Sequence, residues 1–289
     1  FRRRQIPVTT ANGSGDIAGL QWGPEGDGPL DILFLHANGF NAMTYAQLMA
    51  PLGAQGLRVL AVDLRGHGLT TLPAEPANIE SSWDSYRDDL MALLAALGHM
   101  PRVLAGHSMG GATCMLAALT WPQALGAVPP LVLFDPVIAP PMASMPTPSP
   151  LKEGALRRKN NFDSPEAALA GFVGRGAFKT WPESFIRDYL VDGIALGDDG
   201  VYHLTCAPSW EANNFSHPYR TTDAAIPGLV NPLTVLRAEL ASTCHWNQWP
   251  AQAQVQTVPG STHFVPMEFP ELAREALVTA VEAERAATR

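Results

Sequence analysis

Apolar residues in this chain gather into short unbroken runs separated by helically spaced stretches. The runs at 30–35, 58–62 and 130–134, and the one that begins at Val103, are of strand length. They alternate too little to have a wet face, so they predict strands covered on both sides. Between them, 45–52 reads as helical, and 82–97 carries Leu90, Leu93, Leu94 and Leu97 at helical spacing. At the start, 5–10 and 16–22 flank Asn12-Gly13, which predicts a hairpin at an antiparallel edge. The repeated order strand, helix, strand implies an α/β fold with a mostly parallel sheet and helices on both faces. From Val137 the pattern changes. Residues 139–150 are crowded with proline and methionine, and 151–218 predicts short amphipathic helices with a hairpin near 197–200. Strands return at 233–236 and 255–258, and a helix over 269–285 closes the chain. We therefore expect 1–136 and 220–289 to form one core domain and 137–219 to be an inserted lid. No internal repeat or long low-complexity tract interrupts this order.

One strand runs directly into chemistry. Val103-Leu104-Ala105 leads into Gly106-His107-Ser108-Met109-Gly110-Gly111, and a helical pattern through Ala112, Cys114, Met115 and Leu116 follows at once. A serine on so sharp a strand-to-helix turn is forced into a strained conformation that lifts its hydroxyl clear of the sheet, and small residues on either side let strand and helix pass closely. Ser108 is the candidate nucleophile. A serine hydroxyl needs a base within hydrogen-bond reach. His263, in the loop between the last strand and the last helix, stands at the same sheet edge. Two carboxylates compete to orient it: Asp135, directly after the strand at 130–134, and Glu239, after the strand at 233–236. Two backbone N–H groups, Met109 after the serine and Asn38 in the turn His36-Ala37-Asn38-Gly39, are candidates to hold an oxyanion. His107 points away from the serine, to pack or to line the mouth of a pocket. The other histidines show no i, i+4 pairing that would hold a metal, and none is expected.

Composition narrows the partner. A formal charge of −8 with only 19 Lys and Arg speaks against nucleic acid or an acidic membrane surface and for a small, weakly polar ligand. Three cysteines at wide spacing make neither a disulfide framework nor a zinc pattern. No apolar stretch is long enough to span a bilayer, and the first residues run straight into a strand without a signal-peptide core, so a cytoplasmic location is expected, a removed leader being left open.

Taken in order, the His36-Ala37-Asn38-Gly39 turn, the Asp63-Leu64-Arg65-Gly66-His67-Gly68 segment, the serine turn and the Gly260-Ser261-Thr262-His263 loop make the chain resemble the α/β-hydrolase family from nearly end to end. That family usually draws its acid from the loop after the penultimate strand. Here that loop, Ala238-Glu239-Leu240-Ala241-Ser242-Thr243, holds no aspartate. Some members place the acid after the strand that leads into the lid, and the resemblance thus favours Asp135 over Glu239. Serine at the elbow speaks against dehalogenases and epoxide hydrolases, which carry aspartate there. The resemblance further implies a cap over 137–219 with the substrate pocket beneath it, an apolar site drawing on Met142, Met145, Phe162, Phe172, Phe178, Trp181, Trp210 and Phe215, several of which also form the cap's own core. His36, His107 and Trp210 are the candidates for substrate contact. The function so implied is a cofactor-free serine hydrolase acting on a small hydrophobic ester or lactone through an acyl-enzyme. An acyltransferase with the same triad and a non-catalytic ligand receptor are the alternatives, and a homodimer is left open.

Overall fold

The structure, a computed structural model, describes residues 1–26, 28–75, 82–121, 126–138, 150–216 and 226–288. The opening hairpin is β1 (Arg2–Thr10) and β2 (Gly13–Trp22), paired antiparallel. Four short strands follow, β3 (Ile32–Leu35), β4 (Val59–Val62), β5 (Val103–His107) and β6 (Leu131–Phe134), each buried along its whole length. Residues 150–216 contribute β7 (Asn161–Phe162), β8 (Ile194–Leu196) and β9 (Tyr202–Leu204), and the main sheet resumes with β10 (Leu233–Ala238) and β11 (Ala253–Val258). Among the described residues the main sheet has eight strands in the order β1-β2-β4-β3-β5-β6-β10-β11, parallel from β4 to β11.

The unbroken apolar runs are accounted for by period-two alternation with a hydrophobic layer on each face. Ile32, Phe34, Val59, Ala61, Val103, Ala105, Val132 and Phe134 enter one buried cluster, while Leu33, Leu35, Leu60, Val62, Leu104, Leu131 and Leu133 enter the other. Helix α1 (Ala46–Ala54) covers the first face through Leu48, Met49 and Leu52. Helix α2 (Ser82–Leu97) covers the second through Tyr86, Leu90, Leu93 and Leu94, beside α3 (Met109–Leu119). The edge strand β11 is largely exposed, which fits its glutamines.

Among its described residues, the segment between β6 and β10 builds no strand into the main sheet. It forms α4 (Pro150–Leu156), α5 (Pro165–Phe172), α6 (Glu183–Gly193) and α7 (Pro208–Ser216), with a separate three-stranded sheet in the order β7-β9-β8. The hairpin expected near 197–200 is β8 and β9. The two-residue β7 was not anticipated, since so short a strand leaves no alternation to read. The segment's buried aromatic residues, among those described, join the two clusters that flank the main sheet. Phe162, Phe172, Phe178, Trp181 and Tyr189 join the cluster on the α1 face, while Cys206 and Trp210 join the other. Residues 139–149, with Met142 and Met145, and the expected boundary at 219/220 lie outside the described residues. The chain ends with α8 (Val265–Glu268) and α9 (Pro270–Ala287), the latter burying Ala273, Leu277 and Val281.

Candidate active site

Everything proposed for chemistry lies at the C-terminal edge of β3, β5, β6 and β10 or in the loop after β11. Ser108 joins β5 to α3 with φ 56° and ψ −118°, a region L-residues avoid. The turn is possible only with glycine on both sides. A Cβ on Gly106 would sit 2.5 Å from the Gly110 carbonyl carbon, and one on Gly110 would sit 2.3 Å from the Leu35 oxygen. The strain is held by hydrogen bonds from Ser108 N–H to Phe134 O (3.0 Å) and from Ala112 and Val137 N–H to Ser108 O.

His263 closes on this serine from the loop after β11. Its Nε2 lies 2.9 Å from Ser108 Oγ, and its Nδ1 lies 2.6 Å from Asp135 Oδ2. A carboxylate can only accept, so Nδ1 carries the proton and bare Nε2 faces the serine hydroxyl. Asp135 ends β6 with φ 37° and no exposed surface. Its carboxylate accepts from Ala238 N–H (2.9 Å), Thr243 N–H (2.9 Å) and Ser242 Oγ–H as well as from His263. Burial alone would raise its pKa. The hydrogen bond and charge of His263, with Ser242 and Thr243, outweigh burial and hold it at about 2. Glu239 is exposed and accepts from Gly260 N–H at 2.8 Å, which ties two loops together away from the imidazole. The loop after β10 thus meets Asp135 with Ser242 and Thr243 as donors. These supporting residues were not singled out from the sequence. The signal was there in two adjacent hydroxyl residues where the family's aspartate usually falls.

Met109 is the first residue of α3, and its N–H has no intrahelical acceptor. Across from it, the turn after β3 is pinned on all sides. Gly39 N–H donates to His67 Nε2 (3.0 Å), so the His67 proton sits on Nδ1 and goes to Arg65 O (2.9 Å). The Asn38 side chain donates to Glu211 O (3.1 Å) and accepts from Asn214 Nδ2 (2.8 Å), both on α7. Gly39 takes φ 79°, which L side chains rarely adopt, and a Cβ there would crowd Glu211 Oε1 at 2.7 Å.

The three residues expected to touch substrate are placed elsewhere. His36 has no exposed surface, donates from Nδ1 to Ala37 O (2.7 Å) and accepts Leu64 N–H on Nε2 (2.8 Å). Both ring nitrogens are thus committed to backbone. Burial, aided by His67, keeps the ring well below the ordinary histidine pKa. Trp210 is a peg between α7 and the core, its indole N–H shared between Arg65 O (2.9 Å) and Tyr86 Oη (3.0 Å). A Cβ on Gly66 would strike that indole at 2.2 Å. His107 is likewise fully buried, between Tyr45 Oη and His263 O. In each case the sequence located a residue near the site but not the direction of its side chain.

What does flank the reacting groups is aromatic. Phe264, next to His263, has its ring 5.4 Å from that imidazole. It meets Trp181 at 5.4 Å and Phe40 at 6.1 Å, and Phe178 packs on Trp181 at 4.9 Å. Phe40 follows the Asn38-Gly39 turn, so these rings run from that turn to the His263 loop. The Trp181 indole N–H is buried within it and meets no acceptor among the described residues. Neither a metal-holding cluster of three His, Cys, Asp or Glu nor a helix long and apolar enough to cross a membrane occurs among the described residues.

This arrangement can be compared with known proteins. Residues 32–276 match the model of the alpha/beta hydrolase family. Over 267 residues, 90% of each chain, the protein is 25% identical to a 2-(acetamidomethylene)succinate hydrolase of Mesorhizobium japonicum. A crystal structure of E-2-(acetamidomethylene)succinate hydrolase superposes with a TM-score of 0.74 at 23% identity, covering 97% of this chain and all of that one. Higher identity is found over shorter stretches. It is 38% over 149 residues with an sn-1-specific diacylglycerol lipase of Mus musculus, 46% of this chain and 45% of the lipase, so the match spans under half of that relative. A bifunctional esterase/perhydrolase of Acinetobacter calcoaceticus is 33% identical over 133 residues, 44% of this chain and 46% of the relative. With sheet order, serine turn and family model in agreement, the chain belongs to the alpha/beta hydrolase family.

Proposed function

We propose that the enzyme is a serine hydrolase that cleaves a small, largely hydrophobic ester or lactone through an acyl-enzyme. The observation that carries this reading is the directed chain from Ser108 Oγ to His263 Nε2 and from His263 Nδ1 to Asp135 Oδ2, at 2.9 and 2.6 Å. Ser108 Oγ attacks the acyl carbon while His263 Nε2 takes its proton, and Asp135 holds the ring in the competent tautomer and stabilises the imidazolium. The oxyanion is received by Met109 N–H and Asn38 N–H, worth about 3 to 4 kcal/mol of barrier for each donor in comparable sites. His263 then protonates the leaving alcohol, and a water activated by the same nitrogen releases the acid. Phe40, Phe178, Trp181 and Phe264 form the apolar wall for the acyl group or alcohol, and the unpaired Trp181 N–H offers a donor to a polar atom of the substrate. Within the expected insertion at 137–219, the described residues 150–216 act as the cap over this site. The three cysteines are free and buried, in keeping with a cytoplasmic setting.

The test is a panel of chromogenic esters, lactones and amides, with and without an alcohol acceptor, on wild type and Ser108→Ala. The expected result is release of free acid from esters or lactones. Ser108→Ala should lower kcat by about 10⁶-fold and abolish labelling by a fluorophosphonate. Undiminished labelling of the variant would overturn the assignment of Ser108, and predominant acyl transfer to the alcohol would overturn hydrolysis as the main reaction.

A further inference from the structure

Beneath the reacting groups lies a second chain of hydrogen bonds that the proposed reaction does not use. Ala37 N–H lies 3.1 Å from Tyr45 Oη, Tyr45 Oη lies 2.7 Å from His107 Nδ1, and His107 Nε2 lies 2.8 Å from the backbone oxygen of His263. The direction of every bond is forced. Ala37 N–H can only donate, so Tyr45 Oη accepts it and has one proton left to give. The His263 carbonyl can only accept, so His107 Nε2 carries the proton. A neutral imidazole then has a bare Nδ1, which is the acceptor the tyrosine needs. No group in the chain is left unsatisfied and none can be reversed singly.

The chain is also sealed. Tyr45 and His107 have no exposed surface. Burial, together with the charge of His263, depresses His107 to about 3, and burial raises the Tyr45 phenol. Its two ends are the informative feature. Ala37 immediately precedes Asn38, whose N–H faces the developing oxyanion in the reading above, and His263 is the base itself. The peptide plane of each is set from behind by the same pair of side chains.

We propose that Tyr45 and His107 are positioning residues, which hold the oxyanion turn and the catalytic histidine in register with each other through this directed chain. The consequence for rate rests on the serine-hydrolase reading, whereas the chain itself does not. Loss of the tyrosine hydroxyl leaves Ala37 N–H without its acceptor and His107 Nδ1 without its donor, so the two ends lose the link that ties one to the other. Misplacement of about 1 Å at a reacting group costs on the order of 10²-fold in rate.

Two experiments test this. Nitrogen NMR of histidine-labelled wild type should show His107 with Nε2 protonated and Nδ1 bare, unchanged from pH 5 to 8. A protonated Nδ1 would overturn the chain whether or not the enzyme turns over. For rate, Tyr45→Phe is compared with Phe34→Leu, a control that disturbs packing against the same tyrosine, whose ring is 4.6 Å away, but removes no hydrogen bond of the chain. Well below both thermal midpoints, Tyr45→Phe should lose about 10- to 100-fold in kcat and in fluorophosphonate labelling rate with KM little changed, while Phe34→Leu stays within a few-fold of wild type. His107→Gln, which keeps a donor near the Nε2 position, should recover activity relative to His107→Ala. Equal losses in Tyr45→Phe and Phe34→Leu, or no recovery with glutamine, would reduce the pair to packing and overturn the proposal. A wild type that neither labels nor turns over any ester overturns the serine-hydrolase reading instead, and the NMR result then decides the chain alone.

Discussion

Two parallel strands of the main sheet end in a carboxylate at the same edge, and the molecule treats them in opposite ways. After β6, Asp135 is fully buried at φ 37° and accepts from His263, Ser242 and two backbone N–H groups. After β10, Glu239 is exposed and accepts from Gly260 N–H. The difference comes from side-chain reach and from what stands opposite. The short aspartate turns back from its strand end into a ring of donors supplied by the neighbouring loop. The longer glutamate, three and four residues before the donors Ser242 and Thr243, extends across the surface to the next loop. A buried carboxylate is tolerated only when its charge is met by donors and an opposite charge, and only Asp135 has them.

The sharpest way to break this comparison is to neutralise each carboxylate in turn. Asp135→Asn should present the wrong histidine tautomer and lower kcat by about 10⁴-fold, with binding of a non-reactive substrate analogue retained. Steady-state kinetics within a few-fold of wild type would remove Asp135 from its role.

Next in size is the response to acid, in which the buried side of the comparison is exposed as a liability. His67 and His107 are held by burial at about 4 and about 3, below the ordinary value near 6.5. The unfolded chain therefore binds more protons than the folded one as pH falls through 6.5. Their contribution to stability is complete above 6.5 and is lost progressively toward pH 3, by about 2 kcal/mol for each at pH 5. Asp135, held at about 2, adds a second loss of about 2 to 3 kcal/mol as pH falls from about 4 toward 2. Denaturant unfolding across pH 8 to 4 should show the first decline before any carboxylate in the ordinary range titrates. Histidine NMR that shows either ring protonating near pH 6.5 in the folded protein would mean that these histidines are not buried neutral.

Smaller effects should separate the donors from the acid. Ser242→Ala removes one charge-assisted hydrogen bond to Asp135 but leaves Thr243 N–H and Ala238 N–H, and we expect roughly a ten-fold loss in kcat/KM, corresponding to about 1.5 kcal/mol. Smallest of all, Glu239→Gln should alter kcat by less than a few-fold and the thermal midpoint by little, because an exposed carboxylate accepting one backbone N–H contributes about 1 kcal/mol or less. A loss in Glu239→Gln as large as in Asp135→Asn would reverse the comparison.

Much of this protein was legible before any fold was known. The apolar runs 30–35, 58–62 and 130–134 lie where β3, β4 and β6 are found, and the helical spacing over 82–97 coincides with α2. Such periodicities report local geometry and burial together, so they survive without tertiary information. The serine turn was legible for the same reason, since glycines at 106 and 110 are demanded by backbone clearances of under 3 Å. What the chain's order could not contain was direction across distance. Whether Asp135 or Glu239 reached His263 depended on donors more than a hundred residues away in the loop after β10. The sequence points His36 and Trp210 toward substrate and leaves His107 to pack or to line the pocket mouth, yet the partners that turn all three inward, Leu64, Tyr45, Arg65 and Tyr86, come from other segments. Local backbone preference is written in neighbouring residues, whereas the orientation of a buried polar side chain is decided by whichever donor or acceptor the fold places opposite it, and only the tertiary structure brings that partner there.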